Sequence, residues 1–290
     1  MLLQQIINGI MLGSTYSLVA IGYTLIFGVL NVLHFAHGEV YMIGAFVGLH
    51  FAILTKMNIV VTIIVAMGVT GLLGVLIERG VIRQIKREYP LAPLSATIGL
   101  AVIFQEGIAK IFGADTIGFP DAFQAQYFQF GSISVDSTHV TILAVSFVLM
   151  AALTLFVKKT RTGKAIRAVA ENPVTARLLG VNIDRVTMLT FAISSALAGA
   201  AGVLVGLAYN AISPFMGIRM ALLSFAIMLL GGLGNITGAM FGGLILGIVE
   251  VLSTVYISST YRDAFTFGTM ILILIFRPAG LFGTRLQKGR

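Results

Sequence analysis

Val140 to Arg185 reads VTILAVSFVLMAALTLFVKKTRTGKAIRAVAENPVTARLLGVNIDR. Its first part, Val140–Val157, carries no charge and approaches the roughly 20 apolar residues that a helix needs to cross the hydrocarbon core. The second part turns basic at once, with Lys158, Lys159, Arg161, Lys164, Arg167, Arg177 and Arg185, before a further apolar run begins at Val186 and continues to Tyr209. Two membrane helices flanking a basic loop place that loop in the cytoplasm by the positive-inside rule. A cytoplasmic loop that keeps its own structure in mid-chain implies something in the cytoplasm that docks there.

The rest of the chain repeats the pattern. Of 290 residues, 58% are hydrophobic and 10% are charged, with a mean hydropathy of +1.00, against roughly 25% charged in soluble domains. Apolar segments fall near Ile6–Leu30, Val40–Leu54, Ile59–Ile77, Leu94–Phe112, Val140–Val157, Val186–Tyr209, Met220–Leu230, Ile236–Tyr256 and Ala264–Phe276. Met220–Leu230 and Ala264–Phe276 are short for full spans, so each extends into its flanks or crosses half the membrane. The six prolines, Pro90, Pro93, Pro120, Pro173, Pro214 and Pro278, sit in gaps or at segment ends, where a missing N–H is tolerated. Residues 1–290 therefore read as a single all-α transmembrane domain, a polytopic helical bundle with about eight to ten membrane segments and a cytoplasmic loop near 158–185.

The net charge of +8 does not point to nucleic acid, because the Lys and Arg residues gather in Arg79–Arg87, Lys158–Arg185 and Arg277–Arg290. With nine crossings, all three basic stretches face the cytoplasm and the N-terminus faces outward. Gly113–His139, which has Asp115, Asp121 and Asp136 but no Lys or Arg, then lies outside as well. Met1–Asn8 has no positive charge and leads into an apolar run too long for a cleaved signal, so it reads as a retained first helix. The absence of Cys excludes disulfides and thiolate chemistry. Small residues recur every fourth position, at Gly9, Gly13 and Ser17, at Ala198, Gly202 and Gly206, at Gly234, Gly238 and Gly242, and at Ala239, Gly243 and Gly247. That spacing lets helix backbones approach closely in lipid.

Within the basic loop, Asn172 suits a helix N-cap, Pro173 the first helical position, and Gly180 the left-handed residue past the end. Val174 and Leu178 share one face, and Arg177 complements the helix dipole. The expected structure is a short helix over Lys164–Ala170, a sharp turn, and a second short helix on the membrane surface. An amphipathic connector held to anionic lipid and a docking element both fit this pattern.

Three stretches carry a resemblance. Gly163-Lys164-Ala165-Ile166-Arg167-Ala168-Val169-Ala170-Glu171-Asn172-Pro173, followed by Ala176-Arg177-Leu178-Leu179-Gly180-Val181-Asn182, resembles the coupling loop of bacterial branched-chain amino acid ABC transporter permeases of the LivH type. Asn31 to Ala45, with His37-Gly38-Glu39, Met42 and Gly44-Ala45, and Gly231 to Ala239 followed by Gly242-Gly243 resemble the same family. His34 departs from the expected pattern. The resemblance implies a pore-forming subunit of the bacterial inner (plasma) membrane, with no ATPase activity and no cofactor of its own. It also implies a second permease subunit, two cytoplasmic ATP-binding subunits and a periplasmic or extracellular substrate-binding protein as partners. Lys164, Arg167, Glu171, Asn172, Pro173, Arg177, Leu178 and Gly180 would then form the ATPase-coupling loop. Independently, the chain has no G-x-x-x-x-G-K-[ST], so ATP would have to be bound elsewhere.

Charges within membrane segments are costly and so are candidates for function. Glu106, one turn before Lys110, reads as half of a structural ion pair. Glu250 has no sequence-local partner and either pairs with another helix or faces a wet cavity. Asn31–Gly38 interrupts two apolar segments with polar groups, as substrate pathways often do. Tyr16, Asn31, His37, Glu39 and Glu250 are therefore the candidate translocation path. His34, His37 and Glu39 do not supply an organised metal site. The leading function is a permease subunit of an ATP-driven importer for branched-chain amino acids. Other small polar solutes (other amino acids, amides, urea) and an ion-coupled secondary transporter using Glu39, Glu106 and Glu250 remain open at this level.

Overall fold

A computed structural model describes residues 2–55, 58–85, 91–119, 127–130 and 133–283. Lys86, Arg87, Pro90, Pro120, Asp121, Arg285, Lys288 and Arg290 lie outside the described residues. The helices are α1 (Leu2–Leu30), α2 (His37–Thr55), α3 (Ile59–Gly80), α4 (Ala92–Phe112), α5 (Ser137–Lys159), α6 (Arg161–Glu171), α7 (Pro173–Leu178), α8 (Ile183–Tyr209), α9 (Met216–Gly231), α10 (Ile236–Tyr256) and α11 (Arg262–Phe276). Among the described residues, α1, α2, α3, α4, α5, α8 and α10 are long and apolar enough to span a membrane. The two segments flagged as short are short helices, of 16 residues for α9 and 15 for α11. One addition to the helical reading is an antiparallel hairpin between α4 and α5, in which β1 (Tyr127–Phe130) pairs with β2 (Ile133–Asp136).

α1 and α8 form the centre, and most of each is buried. They are held by backbone approach more than by side-chain interlock. A Cβ on Gly13 would come within 2.7 Å of the Leu244 Cα, and one on Gly9 within 2.7 Å of the Ile248 Cα. Gly247 lies against Gly13, and Gly243 against Ser17, whose hydroxyl donates to the Met240 carbonyl at 2.7 Å. On the other side of the core, Gly44 meets Gly199 and Gly202 meets the Tyr41 carbonyl, locking α2 to α8. Gly74 meets Ser195, and Gly199 meets Thr70, locking α3 to α8. Lipid gives helices no hydrophobic reason to associate, so close packing at small residues must do it.

Two helices begin inside the bundle. Asn31 ends α1 in the left-handed conformation, φ 55°, which Asn tolerates better than most residues. The chain then turns back inward, so that His37, the first residue of α2, lies 3.3 Å from the Val19 carbonyl in the middle of α1. The sequence pattern starts this segment at Val40, whereas the structure extends the helix through Glu39, Gly38 and His37. From the opposite end, Asn210–Phe215 folds back through an Ile117–Ile212 bridge and leads into α9. The first turns of α2 and α9 meet there: a Cβ on Gly38 would strike the Gly217 carbonyl, and one on Gly217 would strike the Glu39 carboxylate.

The described parts of the basic stretches collect at one end. Arg83, after α3, donates to the Asp184 carbonyl at the start of α8. Gly28 near the end of α1 approaches Gly234 in the α9–α10 turn. The segment after α11 pairs with the end of α9, with Leu281 N–H donating to the Leu230 carbonyl at 2.7 Å. Gly232 and Gly234 take positive φ in that turn, and the Asn235 carboxamide caps α10 at Gly238 N–H while donating to the Phe282 carbonyl at 2.9 Å.

Overpacking at the α1–α10 seam tests this account. Gly13→Val should destabilise the fold by about 1–3 kcal/mol or more, whereas Gly107→Ala, where an added Cβ meets nothing within 4 Å, should be neutral. The aggregation temperature of the tagged protein in mild detergent would separate them; equal values would refute the seam.

Candidate functional site

The basic loop takes the form that its capping residues dictate. Thr160 caps α6 by accepting from Gly163 N–H at 2.9 Å, and Asn172 caps α7 by accepting from Thr175 N–H at 2.9 Å. Pro173 opens α7, Gly180 follows it at φ 84°, and Val181 N–H returns to the Ala176 carbonyl. Gly163 sits so close to the Phe156 and Val157 carbonyls that a side chain there would push α6 off α5. Ile166, Val169 and Ala176 are buried and fix the pair to the bundle, α6 packing on α5, α8 and α1. The opposite face is bare: Lys164, Arg167, Glu171, Asn172, Arg177 and Gly180 are exposed, and Pro173 is half-buried. Val174, Leu178 and Leu179 are 69%, 82% and 78% exposed, at the end of the molecule where the basic residues gather.

The five candidate path residues fall at three levels. Tyr16 and Glu250 meet: the Tyr16 hydroxyl donates to Glu250 at 3.0 Å. Glu250 is buried and not alone, because Arg219 on α9 donates to it at 3.0 Å and the Arg262 guanidinium lies 3.6 Å away. Arg219 also donates to Asp263 at 2.7 Å. This group of α1, α9, α10 and α11 borders a cavity of about 300 Å³ lined by Tyr16, Tyr41, Val205, Tyr209, Met216 and Arg219, among others. Thr116, at the end away from the basic loops, lies at its mouth.

Below it, where α2 and α9 begin, His34, His37 and Glu39 are buried; Ser194 and Ser195 on α8 are buried too, the Ser195 hydroxyl facing Gly74 on α3. The His34 ring stands 5.1 Å from Phe191 and 6.0 Å from His37. Both His34 nitrogens, Nδ1 of His37, Oε2 of Glu39 and the two serine hydroxyls have no hydrogen-bond partner in the protein. Among the described residues no group of three metal-ligating side chains forms.

Asn31 lies at the third level, in a cavity of about 520 Å³ at the basic end, shared with Glu78, Arg83, Arg177, Asp184 and Thr187. Arg83 grips the buried Glu78 through two hydrogen bonds of 3.1 Å. Arg177 belongs to α7, so this cavity adjoins the α6–α7 loop.

Of the packing glycines, Gly238 meets Gly231, Gly242 meets Ile227 and Leu230, and Gly243 and Gly247 meet α1, while Gly234 lies in the turn before α10. The Glu106–Lys110 ion pair does not form. Both side chains are exposed on α4, which packs chiefly on α2 and turns most of its surface outward. Sequence reading missed Arg219, Arg262 and Asp263 as site residues; the signal was an Arg at the very edge of a segment too short to span.

A family described as the permease component of branched-chain amino acid transport systems matches residues 5–274. The chain belongs to this family of membrane permeases. The permease is 41% identical over 293 residues to the high-affinity branched-chain amino acid transport system permease protein LivH of Salmonella typhimurium, covering 97% of this chain and 95% of that one. It is 36% identical to the corresponding protein BraD of Pseudomonas aeruginosa, with the same coverage of both chains. A probable branched-chain amino acid transport permease protein LivH of the archaeon Methanocaldococcus jannaschii is 32% identical over 288 residues, covering 93% and 89%.

The four-residue charge cluster of the permease should be energetically coupled. Glu250→Leu and Arg219→Leu should each lower stability by about 1–3 kcal/mol, since each strands the other's charge. The double replacement should lose less than their sum, and strictly additive melting shifts in detergent would show that the two do not interact.

Proposed function

We propose that this permease is the membrane-spanning subunit of an ATP-driven importer of branched-chain amino acids in the inner (plasma) membrane. The observation that carries the coupling part is α7: capped, anchored through Ala176, yet offering Val174, Leu178 and Leu179 bare to the aqueous side. A bare apolar helix tip set among Lys164, Arg167 and Arg177 is unsuited to water. It suits a groove on a separate ATP-binding subunit, and the permease itself has no phosphate-binding loop. The amino acid substrate is supported by the names of the relatives similar along nearly the whole chain.

In this reading the basic end faces the cytoplasm, two ATP-binding subunits dock there, a second permease subunit sits alongside in the lipid, and a substrate-binding protein docks at the other end. Closure of the ATP-binding subunits pushes α6 and α7. Because α6 leans on α5, α8 and α1, the push reaches the seam between α2 and α9. Tyr16 and Glu250 would lie on the outer part of the translocation path, His37 and Glu39 at its closed middle, and Asn31 at its inner mouth. An ion-coupled mechanism is less well supported, because Glu250 is already neutralised by arginine and Glu106 lies on the outward face of α4.

Leu178→Asp should abolish co-purification of the ATP-binding subunits and lower leucine uptake roughly tenfold or more, as expected for a buried anchor, with membrane insertion unchanged. Gly180→Val, forced into a left-handed backbone, and a bulky apolar residue at Glu171 should do the same. Normal uptake and ATPase stimulation from all three would make α7 a connector and remove the coupling argument.

A further inference from the structure

The outer cavity has a charge pattern that nothing in the docking argument requires. Two arginines, Arg219 and Arg262, each stand within 4 Å of both carboxylates, Glu250 and Asp263, a cluster of zero net formal charge. The members are not equivalent. Glu250 is 1% exposed and held by Tyr16 and Arg219, with its second oxygen unpartnered, whereas Asp263 is 52% exposed. Arg219 thus has one buried acidic partner and one half-exposed partner; it lines the cavity wall together with Arg262, and the two carboxylates reach the cavity only through these arginines. The rest of the wall is mainly apolar, from Val205, Ile212, Met216 and Met220, with the tyrosines Tyr41 and Tyr209.

We propose that this cavity is a binding site for a zwitterionic amino acid with an alkyl side chain, in which the ligand's carboxylate exchanges with Asp263 on the Arg219 guanidinium. The released Asp263 carboxylate receives the ligand's ammonium group, and the alkyl chain rests among Val205, Ile212, Met216 and Met220. Charge decides the class. A zwitterion inserted into a neutral quartet leaves every charge paired, whereas a simple anion or cation leaves one unmatched in a partly desolvated site, which is costly. Glu250 keeps Arg219 in place during the exchange, because its own bond to the guanidinium lies on the buried side. The site gives the pore a chemical filter of its own beyond whatever a binding protein delivers. It rests on the amino acid importer reading, and it adds the residues that meet substrate.

The chain contains no tryptophan, so Tyr209→Trp places a single fluorophore in the cavity wall. The full-length variant in lipid nanodiscs would be titrated with L-leucine, with L-leucinol (no carboxylate) and with 4-methylpentanoate (no amine). Saturable emission change with leucine in the millimolar range or tighter, and affinities about tenfold or more weaker for the other two, is the expected result. In Asp263→Asn the quartet gains one positive charge, so 4-methylpentanoate should become a ligand. The unaltered chain should melt at higher temperature with leucine present, which excludes an artefact of the reporter. Equal response to all three compounds, no response to any, or unchanged ligand preference in Asp263→Asn each overturns the site. Leucine uptake by the complete unaltered importer is measured in parallel. Uptake with no binding refutes this site alone, and absence of uptake refutes the importer reading itself.

Discussion

In hydrocarbon, an unpaired backbone N–H costs several kcal/mol, so a helix can begin inside a membrane only where protein surrounds its first turn. α2 and α9 both begin that way, and the architecture follows from enclosing them. The surrounding helices must come close enough to leave no lipid at the breaks: α1 meets α10 through Gly9, Gly13, Gly243 and Gly247, and α2 meets α8 through Gly44, Gly199 and Gly202, where backbone touches backbone. The short length of α9 has the same origin. It starts in the wall of the outer cavity, at Met216, and needs to reach only the basic end, where Gly232 and Gly234 turn the chain into α10.

What the sequence discloses here is what is decided locally. Caps are local, so Asn172, Pro173 and Gly180 outline α7 before any packing is known, and the structure agrees to the residue. Membrane segments are nearly local, since length and polarity bound them. Their ends fail where tertiary surroundings change the solvent. His37 and Glu39 look like loop residues because lipid would reject them, yet they lie in a helix because protein encloses them. The Glu106–Lys110 pair fails for a related reason. Such a pair at helical spacing contributes only a few tenths of a kcal/mol, too little to hold two exposed side chains on the outward face of α4.

The site was half legible. Tyr16 and Glu250 stand out as polar groups in apolar runs, but that they touch depends on the antiparallel seam between α1 and α10, which periodicity does not reveal. The arginine that neutralises Glu250 lies 31 residues earlier in sequence, on a different helix. A charge at a segment edge is ambiguous by itself, being equally a snorkelling anchor or a pore residue. Only the break before α9 turns it inward.

The breaks also separate two kinds of polar environment. At the outer cavity, the charges satisfy one another and remain in contact with solvent through Asp263. One level down, His34, His37 and Glu39 are buried with polar atoms that have no protein partner. The close glycine contacts at Gly38 and Gly217 hold the α2–α9 seam shut beside them. α6 packs on α5, α8 and α1, so the basic end rests on the same central helices that enclose the two breaks.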